Sequence, residues 1–310
     1  MTSMEAKPLV YVIVLNYNDK LCSLECIESV LQIDYCNFQV VFVDNGSTDG
    51  SVIAIRERFG ADVRLHVVEN RENLGIAGGN NAGIRYALKQ GADYIMILSN
   101  DTKVSPDSLR RMVDTAQSDS RIGLVGGKIL YYNEPDVVWF AGAKFDPWLA
   151  RAPHIGVNQL DNMLSGVWDV DMLMGCAMLI KREVVEQVGL FDERYFFQNE
   201  DLEFSYRVRK AGWKIKVNMD ARIWHKIGRT IGTESYDRWY YATRNRLLFI
   251  EENLPPIQRL TAKIFFALTR PLKFIEWIVR GRLDLIQATL EGWNDYRHRR
   301  FGRRLSIKGL

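Results

Sequence analysis

From position 9 to position 15 every residue is apolar or aromatic, and most are valine, isoleucine or leucine. Such a run predicts a strand buried on both faces, as in parallel sheets. The pattern then alternates. Helical spacing over 21–32 is followed by a second buried strand over 38–43, a helix over 52–59 and a third strand over 64–68. A helix over 79–90, a fourth strand over 94–98 and a helix from 106 to about 118 continue the series. Strands alternating with helices at these intervals predict a doubly wound α/β sheet. In such sheets ligands gather at the carboxyl ends of the strands, where Asn16, Asp44 and Asp101 fall.

After Gly123 the apolar pieces shorten and are separated by Pro and Gly, including Gly126-Gly127. A strand is predicted over 172–181, a helix over 182–188, a helix over 200–211 closed by Gly212, and a last short strand over 214–217. Beyond Pro255-Pro256 the chain turns helical and basic, with Pro271 expected to divide 257–279 into two helices. The expected organisation is a catalytic unit over 1–254, with halves at about 8–122 and 123–254, and a basic amphipathic tail over 255–310.

Composition adds little until charge is resolved along the chain. A hydrophobic content of 47% and a charged content of 25% over 310 residues suit one large α/β core. The net charge of +3 hides an asymmetry, since positions 255–310 carry 12 basic and 4 acidic residues, leaving 29 and 34 elsewhere. The tail is therefore expected to meet an anionic membrane surface or, as the alternative, to pack on the body or across a homodimer. Its cluster Arg297–Arg304 is a candidate for phospholipid or for the pyrophosphate of a lipid-linked acceptor. Nucleic acid is not expected, because no reading module accompanies the arginines. No run of 18 apolar residues and no leader pattern is seen, which predicts a cytoplasmic protein, peripheral at the inner face of the membrane. The four cysteines lack CxxC spacing and their count suggests a reducing compartment; Cys22 and Cys26, four apart on an expected helix, read as two buried thiols rather than a metal site.

Five places carry candidate chemistry. Asp44, in the turn 43–51, could accept hydrogen bonds from a ribose or a base N–H, while Ser47 and Asp49 read as helix caps. The Gly/Asn-rich segment 73–83 could bring backbone N–H groups close to an anion, or be a tight turn; it lacks GxGxxG spacing. Asp101 would suit a hard divalent ion shared with diphosphate, although lone acids at strand ends are common. Glu200-Asp201 follows Tyr195-Phe196-Phe197, apolar surroundings that lift a carboxylate toward general-base use; the plain alternative is an acid pair complementing the helix dipole. His225 could ligate a metal, neutralise phosphate, or serve structure alone.

Taken in order, 12–18, 43–51, 73–81, 98–102, 189–193, Glu200-Asp201-Leu202-Glu203, His225 and 241–245 resemble the GT-A family 2 glycosyltransferases, particularly the rhamnosyltransferase-like branch. The resemblance spans about residues 8–250 and implies a GT-A type doubly wound mixed sheet, with a nucleotide-sugar half, an acceptor half and a C-terminal basic helical extension. It implies that Asn16, Asp44, Asn100 and Asp101 bind the nucleotide-sugar, together with Asn73, Gly75, Gly79 and Asn80 of the loop along it. Asp101 matches the last acid of the family's DxD motif; Ser99 stands at the first. Asp101 and His225 would hold a divalent metal, Mn²⁺ or Mg²⁺. Asp201 matches the general base of an inverting displacement, with Glu200 orienting the acceptor. The branch favours dTDP-rhamnose as donor, with UDP-hexose or UDP-N-acetylhexosamine as alternatives, and a hydroxyl of a cell-surface polysaccharide or lipid-linked glycan as acceptor. A sugar-phosphate nucleotidyltransferase would want a basic Gly-rich phosphate loop, which Asn16-Tyr17-Asn18-Asp19 is not. A non-catalytic nucleotide-sugar or glycan-binding module is the third reading.

Overall fold

In the computed structural model, which describes residues 7–226 and 234–304, the opening apolar run forms β1 (Val10–Asn16). It pairs in parallel on both sides, with β2 (Phe38–Asp44) and with β4 (Tyr94–Ser99). β3 (Leu65–Glu69) extends the sheet beyond β2. The run is apolar at every position because both faces are covered: Val10, Val12 and Val14 belong to one core cluster, Tyr11 and Ile13 to the other. The helices α1 (Lys20–Leu31), α2 (Ser51–Phe59) and α3 (Gly75–Lys89) connect these strands. With the order β3-β2-β1-β4, the chain reverses direction across the sheet between β1 and β4. That reversal opens a crevice at the strand ends, the usual ligand position of such sheets.

The second half makes the sheet mixed. β5 (Thr102–Val104), α4 (Ser108–Gln117) and the long β6 (Ile122–Tyr131) follow β4, then the short β7 (Val138–Phe140) and β8 (Val167–Val170). β9 (Ala177–Lys181) runs antiparallel between β4 and β6, and after α5 (Arg182–Val188) and α6 (Glu200–Lys210) the strand β10 (Lys214–His225) pairs in parallel with β6. β5 then closes the path as an antiparallel neighbour of β10.

Four expectations are corrected here. Gly126-Gly127 lies within β6, where the missing side chains make room for Leu173 and Ile223. β10 runs to His225, its pattern broken by a register irregularity between Asn218 and Arg222. The strand expected over 172–181 is confined to Ala177–Lys181. Pro271 does not divide the tail helix: α8 (Pro256–Val279) passes through it. The carbonyl of Ala267, which the proline ring leaves without its helical donor, belongs to an exposed residue, so water can take that role.

The tail is joined to the body. α9 (Leu283–Arg297) lies on α7 (Tyr236–Asn253), and Gly292 sits where a Cβ would collide with the Tyr240 backbone. Trp277 of α8 is fully buried, with its ring 4.6 Å from that of Trp239. Three of the five arginines in the Arg297–Arg304 cluster meet acids outside it, Arg300–Asp295 at 2.6 Å, Arg304–Asp237 at 2.9 Å and Arg303–Glu72 at 3.7 Å.

Candidate functional site

At the carboxyl end of β1 and β2 a small polar network is closed inside the protein. Asn16, 0% exposed, donates through Nδ2 to Asp44 Oδ1 at 2.9 Å and to Ser47 Oγ at 3.0 Å. Its Oδ1 accepts from Ser23 Oγ at 2.8 Å and from Asn100 Nδ2 at 3.0 Å. Asn16 is thus fully engaged with the protein, and its effect on any ligand passes through the orientation of Asp44 and Asn100. Asp44 also accepts from the Ser47 backbone at 2.9 Å, which fixes the carboxylate at the crevice.

A second network joins the crevice to the 73–83 segment. Asn45 Nδ2 donates to Asn73 Oδ1 and to the Gly75 carbonyl, both at 3.0 Å, while its Oδ1 accepts from Leu74 N at 3.2 Å. Gly75, with φ of +74°, starts α3 where a Cβ would run into Phe196, and Ile76 N donates to the Phe196 carbonyl at 2.6 Å. The segment is helical rather than a loop from this point on. Gly79, expected along the donor, packs α3 closely against Leu15 and Asn45. Asn80 is buried in the same helix, and its neighbour Asn81 clasps Phe191 through both backbone groups, at 2.9 and 3.0 Å.

Asp101 and His225 meet because of strand register. His225 at the end of β10 pairs with Thr102 at the start of β5, and Asp101 is the residue before it. The Asp101 Oδ1 to His225 Nε2 distance is 3.2 Å, both side chains being 13% exposed. Trp139 packs against the imidazole at 4.9 Å, and Nδ1 is buried with no hydrogen-bond partner among the described residues.

The acidic pair sits at the start of α6, after a strained approach. Phe196, Gln198 and Asn199 all have positive φ, at 56°, 71° and 68°, a costly conformation for residues with a Cβ and one that concentrates at functional sites. Two residues of α7 hold it. Asn245 Nδ2 donates to the carbonyls of Tyr195, Phe197 and Gln198 at 2.7, 2.7 and 2.8 Å. Arg244, 1% exposed, donates to the carbonyls of Arg194 at 3.0 Å and Gly302 at 2.7 Å. Asp201 accepts from Leu202 N at 2.8 Å and from Gly175 N at 3.3 Å. Burial pushes its pKa up. Burial, and next the charge of Asp201, push Glu200 up as well, and Glu200 Oε2 has no partner among the described residues. Burial that disfavours the charged carboxylate strengthens it as a proton acceptor.

The two poles share one neighbourhood. Cys176, at the turn into β9, has its thiol pushed well up by burial and then by the carboxylates of both Asp101 and Asp201. Its carbonyl accepts from Ser99 N at 3.1 Å, while the preceding Gly175 donates to Asp201. Arg244, Asn245, Asn45 and Cys176 were given no role from sequence. The first two lie in the 241–245 motif and Asn45 follows Asp44, so proximity to recognised residues was the available signal.

The donor set fits a divalent ion of limited kind. One carboxylate and one imidazole converge, and no cluster of three or more His, Cys, Asp or Glu suited to a metal occurs among the described residues. An ion here would complete its shell with substrate phosphate oxygens and water, as Mg²⁺ or Mn²⁺ does at phosphate sites.

Residues 11–189, more than half of the chain, match the model of Glycosyl transferase family 2. The chain is similar to the dTDP-rhamnosyl transferase RfbF of Shigella flexneri, 23% identical over 295 residues, covering 91% of this chain and 95% of that one. It is 27% identical over 216 residues to the N-acetylglucosaminyl-diphospho-decaprenol L-rhamnosyltransferase of Mycobacterium tuberculosis, covering 63% and 68%. Its fold is similar to that of GalNAc-T7 solved with UDP, GalNAc and Mn²⁺, with a TM-score of 0.63 at 15% identity, over 80% of this chain and 48% of that one. The chain thus spans about half the length of that structure, and the mixed sheet is of the GT-A type expected.

Proposed function

The chain belongs to glycosyl transferase family 2, and from that premise we propose that it moves rhamnose from dTDP-rhamnose, with inversion, to a hydroxyl of a cell-surface polysaccharide or lipid-linked glycan precursor. The observation that supports the reading is that the carboxylates of Asp101 and Asp201 both act on Cys176, whose carbonyl accepts from Ser99 N and whose preceding residue Gly175 donates to Asp201. Rhamnose as the sugar rests on the two similar rhamnosyltransferases.

In this mechanism Asp201 takes the proton of the acceptor hydroxyl as that oxygen bonds to the anomeric carbon. The bond from that carbon to the donor's diphosphate breaks on the opposite face, and the nucleoside diphosphate leaves with the electron pair. Asp44 would hold the nucleoside and Asn100 the adjoining part of the donor, both fixed by Asn16. A divalent ion between Asp101, His225 and the diphosphate would supply electrostatic stabilisation of the leaving group. Glu200, neutral through burial, orients the acceptor without competing for its proton.

The membrane reading rests on α8. Leu260, Ile264, Leu268, Leu272, Ile275 and Val279 recur at helical spacing and are between 49% and 82% exposed. Arg259, Lys263 and Lys273 occupy the same helix, as in helices lying on an anionic bilayer. Among the described residues no helix is long and apolar enough to cross a membrane.

The test is a donor panel. With Mn²⁺ present, dTDP-rhamnose, UDP-glucose, UDP-N-acetylglucosamine and GDP-mannose are each offered and free nucleoside diphosphate is measured. Release from dTDP-rhamnose above the others supports the reading. Preferential use of a UDP-sugar replaces the sugar assignment while keeping the enzyme class.

A further inference from the structure

Arg151, Arg246 and Arg270 come from a loop, from α7 and from α8, and the fold gathers them around two phenylalanines. The guanidinium of Arg270 lies 4.7 Å from the Phe266 ring and that of Arg246 lies 5.7 Å from the same ring. Arg151 lies 5.9 Å from the adjacent Phe265. Arg246 donates to the Leu149 carbonyl at 2.8 Å, but its Nε and that of Arg270 are buried with no partner among the described residues. Arg246 is held down at about 10 by burial, then by the charges of Arg270 and Arg151. Arg244, on the same helix, differs sharply: it is deeply buried and spends its donors on carbonyls and on Asn245.

Gathering cations without a counter-charge is unfavourable unless an anion completes the group. Planar guanidinium forks match phosphate oxygens in pairs. We propose that Arg151, Arg246 and Arg270 form a subsite for a phosphate or diphosphate group of the acceptor.

Arg270 shares the inward side of α8 with Phe266, four positions before it, while the exposed Leu268 and Leu272 lie on the opposite side of the helix. Two features set the side of the cleft. Arg246 follows Asn245, which holds the approach to Glu200-Asp201. Phe145, near Arg151 in sequence, packs on Tyr206 of α6 at 5.7 Å and on Phe249 of α7 at 5.5 Å. The subsite is thereby tied to the elements that carry and hold the acidic pair, rather than to the Asp44 end.

The inference deepens the proposed transferase reading and rests on it for the word acceptor. It is tested on the full chain by calorimetry in EDTA with saturating dTDP, so that the donor site is blocked and no metal is involved. Farnesyl diphosphate and inorganic pyrophosphate are the probes, against wild type and the double variant R151Q/R270Q, which leaves the Arg246 contact to Leu149 intact. The expected result is binding of both probes by wild type, weakened at least tenfold in the variant, with the unliganded melting temperature unchanged or raised. Binding of farnesyl diphosphate by wild type without binding of pyrophosphate would overturn the assignment to the phosphate group. Undiminished binding in the variant, or a lowered melting temperature with no binding by wild type, would overturn the subsite. Binding of dTDP with Mn²⁺ is measured separately on both proteins. Its absence from wild type would count against the transferase reading, while binding of the two probes still decides the subsite.

Discussion

Asn245 on α7 donates its amide to the Gln198 carbonyl at 2.8 Å, two residues before the buried acid pair. The same nitrogen serves Tyr195 and Phe197, so one side chain ties three carbonyls of a segment whose backbone is left-handed at Phe196, Gln198 and Asn199. Replacing it strands buried acceptors. Asn245→Ala is expected to lower stability by about 1–3 kcal/mol, measured by urea unfolding, and to reduce kcat while the KM for donor stays within about twofold. A KM effect without a kcat effect would show that Asn245 acts on the donor side.

Gly75 gives a second view of that segment. Its φ of +74° and the nearness of Phe196 leave no room for a Cβ. Gly75→Ala should cost about 1 kcal/mol from backbone conformation alone, with further loss as Phe196 shifts. The expected readouts are a lowered melting temperature and reduced turnover. An unchanged melting temperature would mean that the contact with Phe196 is slack.

Glu200 makes a prediction about stability with a definite sign. Its pKa is raised in the folded protein by burial and by Asp201. Between the unfolded value, about 4.3, and the folded one, the native state therefore holds more protons than the unfolded state. Stability must fall as pH rises through that window. Glu200→Gln removes this loss, so the variant should gain stability relative to wild type progressively above about pH 4.3. Denaturant midpoints at pH 5 and pH 8 check it; a gain no larger at pH 8 than at pH 5 would contradict the burial argument.

Asp101 and His225 are expected to act together on metal-dependent binding. Asp101→Ala and His225→Ala should each weaken nucleoside diphosphate binding in Mn²⁺, with the double variant losing less than the sum of the two. Both should bind nearly as wild type does in EDTA. Calorimetry with and without Mn²⁺ measures this, and equal losses in both conditions would assign the pair a structural task.

Much of this was legible in the chain, for identifiable reasons. The strands from Val10 to Ser99 are buried on both faces, so their apolar runs are continuous, and Asp44 and Asp101 could be placed at strand ends by counting. β10 was not legible beyond its first residues, because Asn218, Asp220 and Arg222 interrupt the pattern where the register shifts. Its pairing with β5 is what carries His225 to Asp101, and that pairing joins positions far apart in sequence. The packing of Gly79 on Leu15 left no trace in the chain, because a glycine serving helix–strand packing has the same letter as one serving a ligand. The arginines around Phe266 left no local trace, since they assemble only when α7, α8 and the loop at Arg151 meet.

The most direct measurement is transfer by Asp201→Asn with the preferred donor and a purified acceptor, followed across pH. Burial raises the Asp201 pKa and the deprotonated form is the active one, so wild-type kcat/KM should rise with pH above the ordinary aspartate value of about 3.9. Asp201→Asn should lower kcat by about 10²–10⁴-fold, remove that rise, and leave nucleoside diphosphate binding and the melting temperature close to wild type. A variant that folds, binds donor and still transfers sugar at the wild-type rate would contradict the account.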